Sequence, residues 1–409
     1  MTERAPNVPK ILCAGIAVQD IVMRVENFPA PGTKVAASEF IITGGGCAAN
    51  AAVAVARLKG RVAFAGPLGG TDDAVSNRIL ADLGNENVDC TGAVRVDGGT
   101  ASVSLILLDA SGEKTIATRR GVNLGRALPK NAAALVADVD AVLVDNRFPE
   151  FVTAVCRAAR QRKIPVVIDL DQATDVSDPL LALGTHVVSS SEALFGTTGL
   201  KEYGAALKKL AGHLSGFLAI TDGPHGVYWL EGGEVRHLPA FKVKVIDSLG
   251  AGDAFHGGFT LALAEGRALP DIMRFASATA ALKCTKFGGA AGEITARGRH
   301  RRIADGLGRA PGLRLQYRRL RRRRCVRLAA RMDLAFGGDA RLPAWHPPAP
   351  AFRPVEGLAM RNVYIVVVVL GVAAILVDHL SSPSSGRAVS PEDFAGACAP
   401  CGAPCPSKK

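Results

Sequence analysis

The sequence predicts an α/β fold, a three-layer α/β/α sandwich with a mainly parallel central sheet and a small β-sheet lid. Short apolar runs rich in β-branched residues alternate with longer Ala-rich segments, and this composition is typical of strands in a helix-covered parallel sheet. Two other stretches, residues 21–42 and 98–120, alternate apolar and polar residues around glycine-containing turns. Because that pattern favours antiparallel strands, we expect a separate lid from about residues 18–45 and 98–122.

The elements of the sandwich follow from the same patterns, taken in chain order. The apolar runs predict strands at residues 11–17, 62–66, 141–145, 166–170, 186–190 and 217–221. The Ala-rich segments predict helices, among them residues 47–60, 150–163 and 271–284. A last strand is expected to end at Ile246. A helix is expected to begin near Ala251, since bulky apolar residues recur at every fourth position from Phe255.

Composition assigns the folded domain to residues 1–296. The formal net charge of +12 comes from residues 297–409, which carry 20 Lys and Arg against 7 acidic residues, whereas residues 1–296 carry 29 against 30. A near-neutral domain gives no electrostatic reason to expect a nucleic-acid partner. Its five cysteines are scattered singly, which is typical of reduced thiols, and the N-terminus lacks the apolar segment of an export signal. We therefore expect a cytoplasmic protein.

Beyond residue 296 the sequence changes character. Residues 297–357 are rich in Arg and Pro, which predicts disorder or translation in a wrong frame. Residues 358–380 contain an apolar run at 363–377 that is shorter than the roughly 20 residues a membrane-spanning helix needs. Residues 381–409 predict a disordered tail with three further cysteines. A membrane partner, through a tether at 363–377, is expected only if this tail is natural rather than a fusion or frameshift.

The stretch Val245–Phe259, VIDSLGAGDAFHGGF, carries the chemistry. At a strand-to-helix junction, the small residues Gly250, Ala251 and Gly252 let the backbone approach a ligand. The free N–H groups of a first helical turn attract phosphate or a developing oxyanion. Asp253, in that turn, is well placed to take a proton from a hydroxyl, and phosphoryl transfer to an alcohol needs both parts. The alternative is an acid that stabilises the helix N-terminus.

This stretch closely resembles the C-terminal signature of the ribokinase/PfkB family of carbohydrate kinases, and family features recur in order over about residues 10–295. The resemblance implies that the backbone of Gly250, Ala251 and Gly252 forms the anion hole and that Asp253 is the catalytic base. It also implies ATP and Mg²⁺ as cofactors, a small-molecule sugar as the acceptor and a homodimer through the lid. The sequence has no Walker-type P-loop, so ATP would be held in the ribokinase manner.

Other segments resemble the binding sites of that family. CAGIAVQDIV (13–22) and GGGCAANAA (44–52) resemble its sugar-binding segments. They assign sugar contacts to Asp20, Gly45, Gly46 and Asn50. TDGPHG (221–226) and ATAALKCTKFGGAAG (278–292) resemble its nucleotide-binding segments. Together with the anion-hole loop, they assign ATP contacts to Thr221, Gly223, Gly226, Ser248, Lys283 and Gly288.

Each sugar-binding segment also has an alternative reading. Asp20 would then be an ordinary turn residue at a strand end, and Asn50 a polar residue at an exposed helix start. Residues 44–49 also match a loose dinucleotide-binding fingerprint. That reading is disfavoured because GPLGG (66–70) stands where the acid of the dinucleotide motif is expected.

Within the family, residues 142–150, 238–259 and 274–292 look most like the sulfofructose kinase branch. Arg147, at a strand end, would then bind a sulfonate or phosphate group on the acceptor. The alternative is a structural Arg that pairs a neighbouring carboxylate such as Asp145.

The metal-binding pattern departs from the family. Its Asn-x-x-Glu segment, which helps organise Mg²⁺, falls near residues 189–199, where Ser190 replaces Asn and Glu192 is displaced by one position. Mg²⁺ carried mainly by ATP phosphates and water tolerates this change. Asp247 is assigned to the metal, through water, or to a nearby loop that binds a monovalent cation.

These observations predict ATP-dependent phosphorylation of a sugar hydroxyl, with a ketose or sulfosugar-type acceptor. A sugar- or nucleotide-binding relative without turnover and a nucleoside kinase of the same family stay open as alternatives. Asp253 and the intact Gly-Ala-Gly loop favour the kinase, whereas the altered Asn-x-x-Glu segment favours the binding protein.

Overall fold

The computed structural model describes residues 8–288. Its strands are β1 (Lys10–Ala14), β2 (Val18–Arg24), β3 (Glu39–Gly45), β4 (Arg61–Ala65), β5 (Pro67–Gly69), β6 (Val94–Val96), β7 (Ser102–Leu108), β8 (Lys114–Arg119), β9 (Ala141–Asp145), β10 (Val166–Leu170), β11 (His186–Ser190), β12 (Phe217–Thr221), β13 (Val227–Glu231) and β14 (Glu234–Leu238). Its α-helices are α1 (Cys47–Arg57), α2 (Ala74–Asn85), α3 (Ala132–Leu135), α4 (Pro149–Gln161), α5 (Pro179–Leu183), α6 (Ser191–Thr198), α7 (Tyr203–Ala211), α8 (Ala251–Ala264) and α9 (Leu269–Lys283).

The central sheet has eight strands in the order β14-β13-β12-β11-β10-β9-β1-β4. The strands from β12 to β4 run parallel, and β13 and β14 continue the sheet antiparallel at one edge. Every residue of β9 and β10 is buried, because helices cover both faces. Alternate residues of β1 therefore enter opposite cores. Ile11 and Cys13 pack in the core that includes α1, α8 and α9, and Leu12 and Ala14 pack in the core that includes α4 and α7.

This arrangement confirms the predicted three-layer α/β/α sandwich, and strands β9 to β12 have the predicted bounds. The strand predicted to end at Ile246 is wrong. Val243 and Val245 lie on the surface, 37% and 52% exposed, in a segment that forms no strand. The Ile246 N–H donates instead to the carbonyl of Cys284 beside the end of α9, at 2.8 Å. The β-branched residues here thus reflect an exposed connection to α8, which begins at Ala251 as predicted.

The predicted lid is a second sheet with the strand order β3-β2-β7-β8. Its outer pairs are antiparallel as expected, but the central pair β2 and β7 is parallel. The reason is topological, since α1, β4 and α2 lie between these strands in the chain and form a crossover. Register places Phe40, Ile42 and Leu105 on one face, and the buried Val22 and Ile106 on the other.

The lid contacts the connection that leads into α8. Val22 and Ile106 pack against Leu249, with Phe287 at the margin of the cluster. The Arg24 guanidinium lies 4.7 Å from the centre of the Phe287 ring. The inner face of the lid therefore packs on Leu249, the residue just before the Gly-Ala-Gly loop.

Within residues 8–288, no helix combines the length and apolarity needed to cross a membrane. The predictions for residues 297–357, 358–380 and 381–409, including the apolar run at 363–377, lie outside the described residues.

Candidate active site

Polar side chains gather where the parallel strands end. Asp145 is the last residue of β9, Asp171 follows β10, Ser190 ends β11 and Thr221 ends β12. Because the carboxyl ends of parallel strands share one edge of the sheet, these groups face the region in which ligands of open α/β sheets bind.

The N-terminus of α8 carries the Gly-Ala-Gly loop. Gly250 is the N-cap and has a left-handed backbone conformation with φ 75°, which turns the chain into the helix. The Ser248 carbonyl accepts the Ala251 N–H at 3.2 Å and closes the turn. Gly252 is exposed, and a side chain there would meet no atom within 4 Å. The start of α8 is thus open to solvent at Gly252, and the first turn of a helix has N–H groups without partners inside the helix, which suits an anion.

Helices α1 and α8 pack closely enough to bring two predicted residues together. A Cβ atom at Gly257 would lie 2.6 Å from the Ala51 carbonyl oxygen, so only glycine permits this approach. One consequence is a hydrogen bond of 2.6 Å from Asn50 Nδ2 to Asp253 Oδ2. Asn50 is itself buried, and among the described residues its Oδ1 accepts no hydrogen bond.

The pKa of the Asp253 carboxyl is shifted toward neutral pH. Burial raises its pKa to about 6, the Asn50 hydrogen bond opposes that rise, and the charge of Asp171 adds to it. A carboxylate that titrates near the working pH is a suitable proton acceptor.

Asp20 lies on the lid strand β2, where it is buried. Burial and, to a smaller extent, the nearby charge of Asp253 raise its pKa to about 7, so the two carboxyls share one electrostatic environment. A Cβ atom at Gly45 would lie only 2.1 Å from Asp20 Oδ2, so glycine is required there for this carboxyl to fit. Gly46 follows the lid strand β3 and is the N-cap of α1, so it connects the lid to the helix that carries Asn50.

Asp145 organises the backbone beneath these groups. Its carboxylate accepts N–H groups from Ile16 at 2.8 Å, Ala48 at 3.1 Å and Arg147 at 3.0 Å. Burial raises its pKa to about 6 despite these hydrogen bonds. Since Ala48 is in the first turn of α1, the carboxylate fixes the helix start that orients Asn50.

The Arg147 side chain is paired, but not with the expected partner. Its Nε lies 3.1 Å from Asp171 Oδ1, and its Nη2 bonds to Asp171 Oδ2. Asp145 receives only the backbone N–H of Arg147. The alternative of an Arg that pairs a nearby carboxylate thus fits the structure, but the partner is Asp171 rather than Asp145, because the guanidinium reaches the end of the neighbouring strand β10. Both side chains of the pair keep partial exposure, 29% for Arg147 and 20% for Asp171.

Several site residues were missed in the sequence. Cys47 Sγ lies 3.3 Å from Asp171 Oδ2, and His256 Nδ1 lies 3.4 Å from the buried Asp169 carboxylate and 2.7 Å from the Gly252 carbonyl oxygen. The available signal was a pair of acids at the end of the buried strand β10, in VVIDLD: Asp169 lies within the strand and Asp171 directly follows it. Ligand atoms of Cys47, Asp169 and Asp253 lie within 4.8 Å of one another. Because Mg²⁺ prefers oxygen ligands, the Cys47 thiol fits that ion poorly.

The predicted nucleotide-side residues Thr221, Gly223 and Gly226 lie around the turn between β12 and β13. Asp222 fixes this turn by accepting hydrogen bonds from Ser191 Oγ at 2.7 Å and from the Tyr203 hydroxyl at 2.5 Å. The turn thus packs on the start of α6 and on α7.

The altered Asn-x-x-Glu segment lies beside that turn. Ser190 caps α6, with its Oγ accepting the Ala193 N–H at 3.2 Å. Glu192, in the first turn of the same helix, is exposed. Its carboxylate is therefore open to solvent at the carboxyl end of β11.

Three predicted residues lie together in an enclosed cluster. Asp247 is wholly buried, its carboxylate bonds the Gly288 N–H at 2.9 Å, and the Lys283 ammonium lies 3.2 Å from it. The assignment of Asp247 to a metal does not fit this geometry, because its oxygens face the protein. The ATP contact assigned to the Lys283 side chain does not fit either, since the ammonium points toward Asp247.

Comparisons with known proteins agree on one family. The model of the pfkB family carbohydrate kinases matches residues 8–296. The ribokinase of Bacillus subtilis (strain 168) is 30% identical over 294 residues, covering 70% of this chain and 96% of that protein. A crystal structure from Agrobacterium tumefaciens, provisionally named a ribokinase, has a TM-score of 0.71 and 35% identity, covering 74% of this chain and 100% of that one. The Arabidopsis thaliana ribokinase complexed with ribose and ATP has a TM-score of 0.61 and 24% identity, covering 71% and 96%, and supports the fold alone.

Proposed function

Because the chain belongs to the pfkB family of carbohydrate kinases, ATP-dependent enzymes of the ribokinase type, we propose that Asp253 is its catalytic base and that the backbone of Gly250, Ala251 and Gly252 is its anion hole. The acceptor is a sugar hydroxyl. The observation that carries this proposal is the position of the Asp253 carboxylate, which is bonded to Asn50 and lies in the first turn of α8, a turn that is exposed to solvent at Gly252. A base and an anion site are thereby joined in one rigid element.

The chemical step needs a base and stabilisation of charge. The sugar oxygen forms the new bond to the γ-phosphorus, the bond from that phosphorus to the bridging oxygen of ATP breaks, and ADP leaves. The hydroxyl proton passes to the Asp253 carboxylate. Negative charge on the transferred group is stabilised by the N–H groups and dipole of α8.

The sugar is held from the lid side and from α1. Asp20 offers carboxyl oxygens from β2, beside the backbone of Gly45 and Gly46. The buried Asn50 Oδ1, which lacks a donor among the described residues, fits a hydroxyl group of the sugar. These groups accept hydrogen bonds, which suits a ligand rich in hydroxyls.

ATP lies toward β12 in this proposal, next to the turn with Thr221, Gly223 and Gly226. Mg²⁺, when bound, would neutralise phosphate charge. The exposed Glu192 carboxylate at the end of β11 and the phosphates themselves supply oxygen ligands of the type that Mg²⁺ prefers.

The nature of the acceptor depends on Arg147. A sulfosugar or phosphosugar would need its guanidinium, but Asp171 already compensates that charge. This pairing favours a neutral ketose or nucleoside over an anionic sugar. The sulfofructose-type acceptor stays a prediction, and it requires the anion to compete with Asp171.

The lid offers a surface for a second copy of the chain. Phe40, Ile42 and Leu105 lie on its outer face and are 58%, 39% and 41% exposed. Exposed apolar side chains clustered on one sheet face are typical of an interface, and we propose that two lids pack together in a homodimer.

Replacing Asp253 by Asn keeps the shape of the side chain and removes the base. We expect kcat to fall by roughly 10² to 10⁴, with ATP affinity nearly unchanged. In the wild-type enzyme, kcat/KM should fall as pH drops through about 6, because the pKa of Asp253 is raised to that value and only its ionised form accepts a proton. A coupled ADP-release assay across pH measures both quantities.

The exposed acid Asp271 on α9 provides the matched control, and Asp271→Asn should leave kcat unchanged. An Asp253→Asn enzyme with wild-type kcat would contradict the proposed base.

Replacing Arg147 by Ala separates the two acceptor classes. If the guanidinium binds an anionic substituent, the variant should lose about 1.5 to 3 kcal/mol of affinity for a sulfosugar or phosphosugar and almost none for the neutral analogue. Isothermal titration with both ligands decides this. Equal losses for both would assign Arg147 a structural role with Asp171.

Replacing Phe40 by Asp should convert the dimer into a monomer, because a carboxylate buried in an apolar interface is costly. Light scattering coupled to size-exclusion chromatography measures the mass. Leu128, 56% exposed and outside the lid, is the control, and Leu128→Asp should remain dimeric. A wild-type protein that runs as a monomer, or a Phe40→Asp variant that stays dimeric, refutes the lid interface.

A further inference from the structure

Lysine side chains are usually exposed to solvent, but the Lys283 ammonium is buried. Lys283 is the last residue of α9 and is only 2% exposed. Its Nζ donates to the Asp247 backbone carbonyl at 3.0 Å and lies 3.2 Å from Asp247 Oδ2. Asp247 lies three residues before Gly250, so this buried charge is placed directly behind the Gly-Ala-Gly loop.

The same cluster holds several backbone segments in place. Asp247 Oδ1 accepts the Leu249 N–H at 2.7 Å, and Oδ2 accepts the Gly288 N–H at 2.9 Å. The Cys284 carbonyl accepts the N–H of Ile246 at 2.8 Å. The ammonium thus compensates a buried carboxylate that joins the start of the loop to the end of α9.

A monovalent cation is the other group that fits such oxygens. A carbonyl oxygen and a carboxylate oxygen of one residue form the kind of ligand pair that a hard cation binds. Here the carbonyl oxygen and the Oδ2 atom of Asp247 already contact the Lys283 ammonium. A cation cannot share that place with a like charge at this distance, so the monovalent cation suggested by the sequence does not fit at Asp247.

We propose that Lys283 is a positioning residue whose ammonium substitutes for a monovalent cation at Asp247 and holds the loop from Ile246 to Gly250. This inference rests on the proposed role of Gly250, Ala251 and Gly252 as the anion hole. Catalysis then has no requirement for K⁺, since the chain supplies the positive charge itself.

Two variants of Lys283 test the substitution. Lys283→Met keeps most of the side-chain volume and removes the charge, and Lys283→Ala leaves room for an added cation. Thermal unfolding and kcat are measured with KCl, with methylammonium chloride and with choline chloride at constant ionic strength. The exposed Lys286 supplies the control, as Lys286→Met.

Wild-type kcat and Tm should be the same in KCl and choline chloride, as should those of Lys286→Met. Lys283→Met should lose about tenfold or more in kcat in every salt, because the loop loses its charge partner. Lys283→Ala should lose similarly in choline chloride and recover both Tm and kcat in KCl or methylammonium chloride. Recovery by a small cation is a result that a purely space-filling role of Lys283 would not produce.

A wild-type enzyme that K⁺ activates several-fold overturns the inference, as does a Lys283→Met enzyme with full kcat and unchanged Tm. If Lys283→Met does not fold, the salt response of Lys283→Ala decides alone. If K⁺ raises the Tm of Lys283→Ala and kcat never changes in any variant, the ammonium is confirmed as the cation substitute and the anion-hole proposal fails instead.

Discussion

The close packing of α1 on α8 is the constraint on which the site depends. Gly257 lets the two helices approach until a side chain would collide with the Ala51 carbonyl, and that distance fixes Asn50 Nδ2 against Asp253 Oδ2. The first turn of α8 then carries both Asp253, the proposed proton acceptor, and the backbone N–H groups proposed to bind an anion. Asp145, which binds the start of α1, anchors the same arrangement to the central sheet.

Buried carboxyl groups give this region its chemical character. Burial raises the pKa values of Asp20, Asp145 and Asp253 to between about 6 and about 7. A different hydrogen-bond donor opposes the pKa rise at each position: backbone N–H groups at Asp145, the Asn50 amide at Asp253 and the Ser104 side chain at Asp20. A buried carboxyl whose pKa is raised toward neutrality is the kind of group that can serve as a proton acceptor.

The central sheet was predictable because its strands are continuous apolar runs, and β9 to β12 match residue for residue. Asn50 and Asp253 could be named as candidate site residues from the sequence, because GGGCAANAA and VIDSLGAGDAFHGGF each place a polar residue after a run of small ones and resemble family signatures. The Arg147 partner, the parallel pair in the lid and the cluster of Lys283 with Asp247 were not predictable. Each depends on segments far apart in the chain, and a local pattern contains no signal for which distant charge a buried side chain will meet.

The central claim is that Asp253 is the catalytic base, and its hydrogen bond from Asn50 Nδ2 implies that this amide orients the carboxylate for the chemical step. A double-mutant cycle on kcat, with Asn50→Ala, Asp253→Asn and the two combined, measures their coupling at saturating substrate. The structure predicts strong coupling, with the kcat of the double variant within about twofold of that of Asp253→Asn, because the amide has nothing left to orient once the base is lost. Losses that simply multiply would show that the two residues act independently and would contradict the claim.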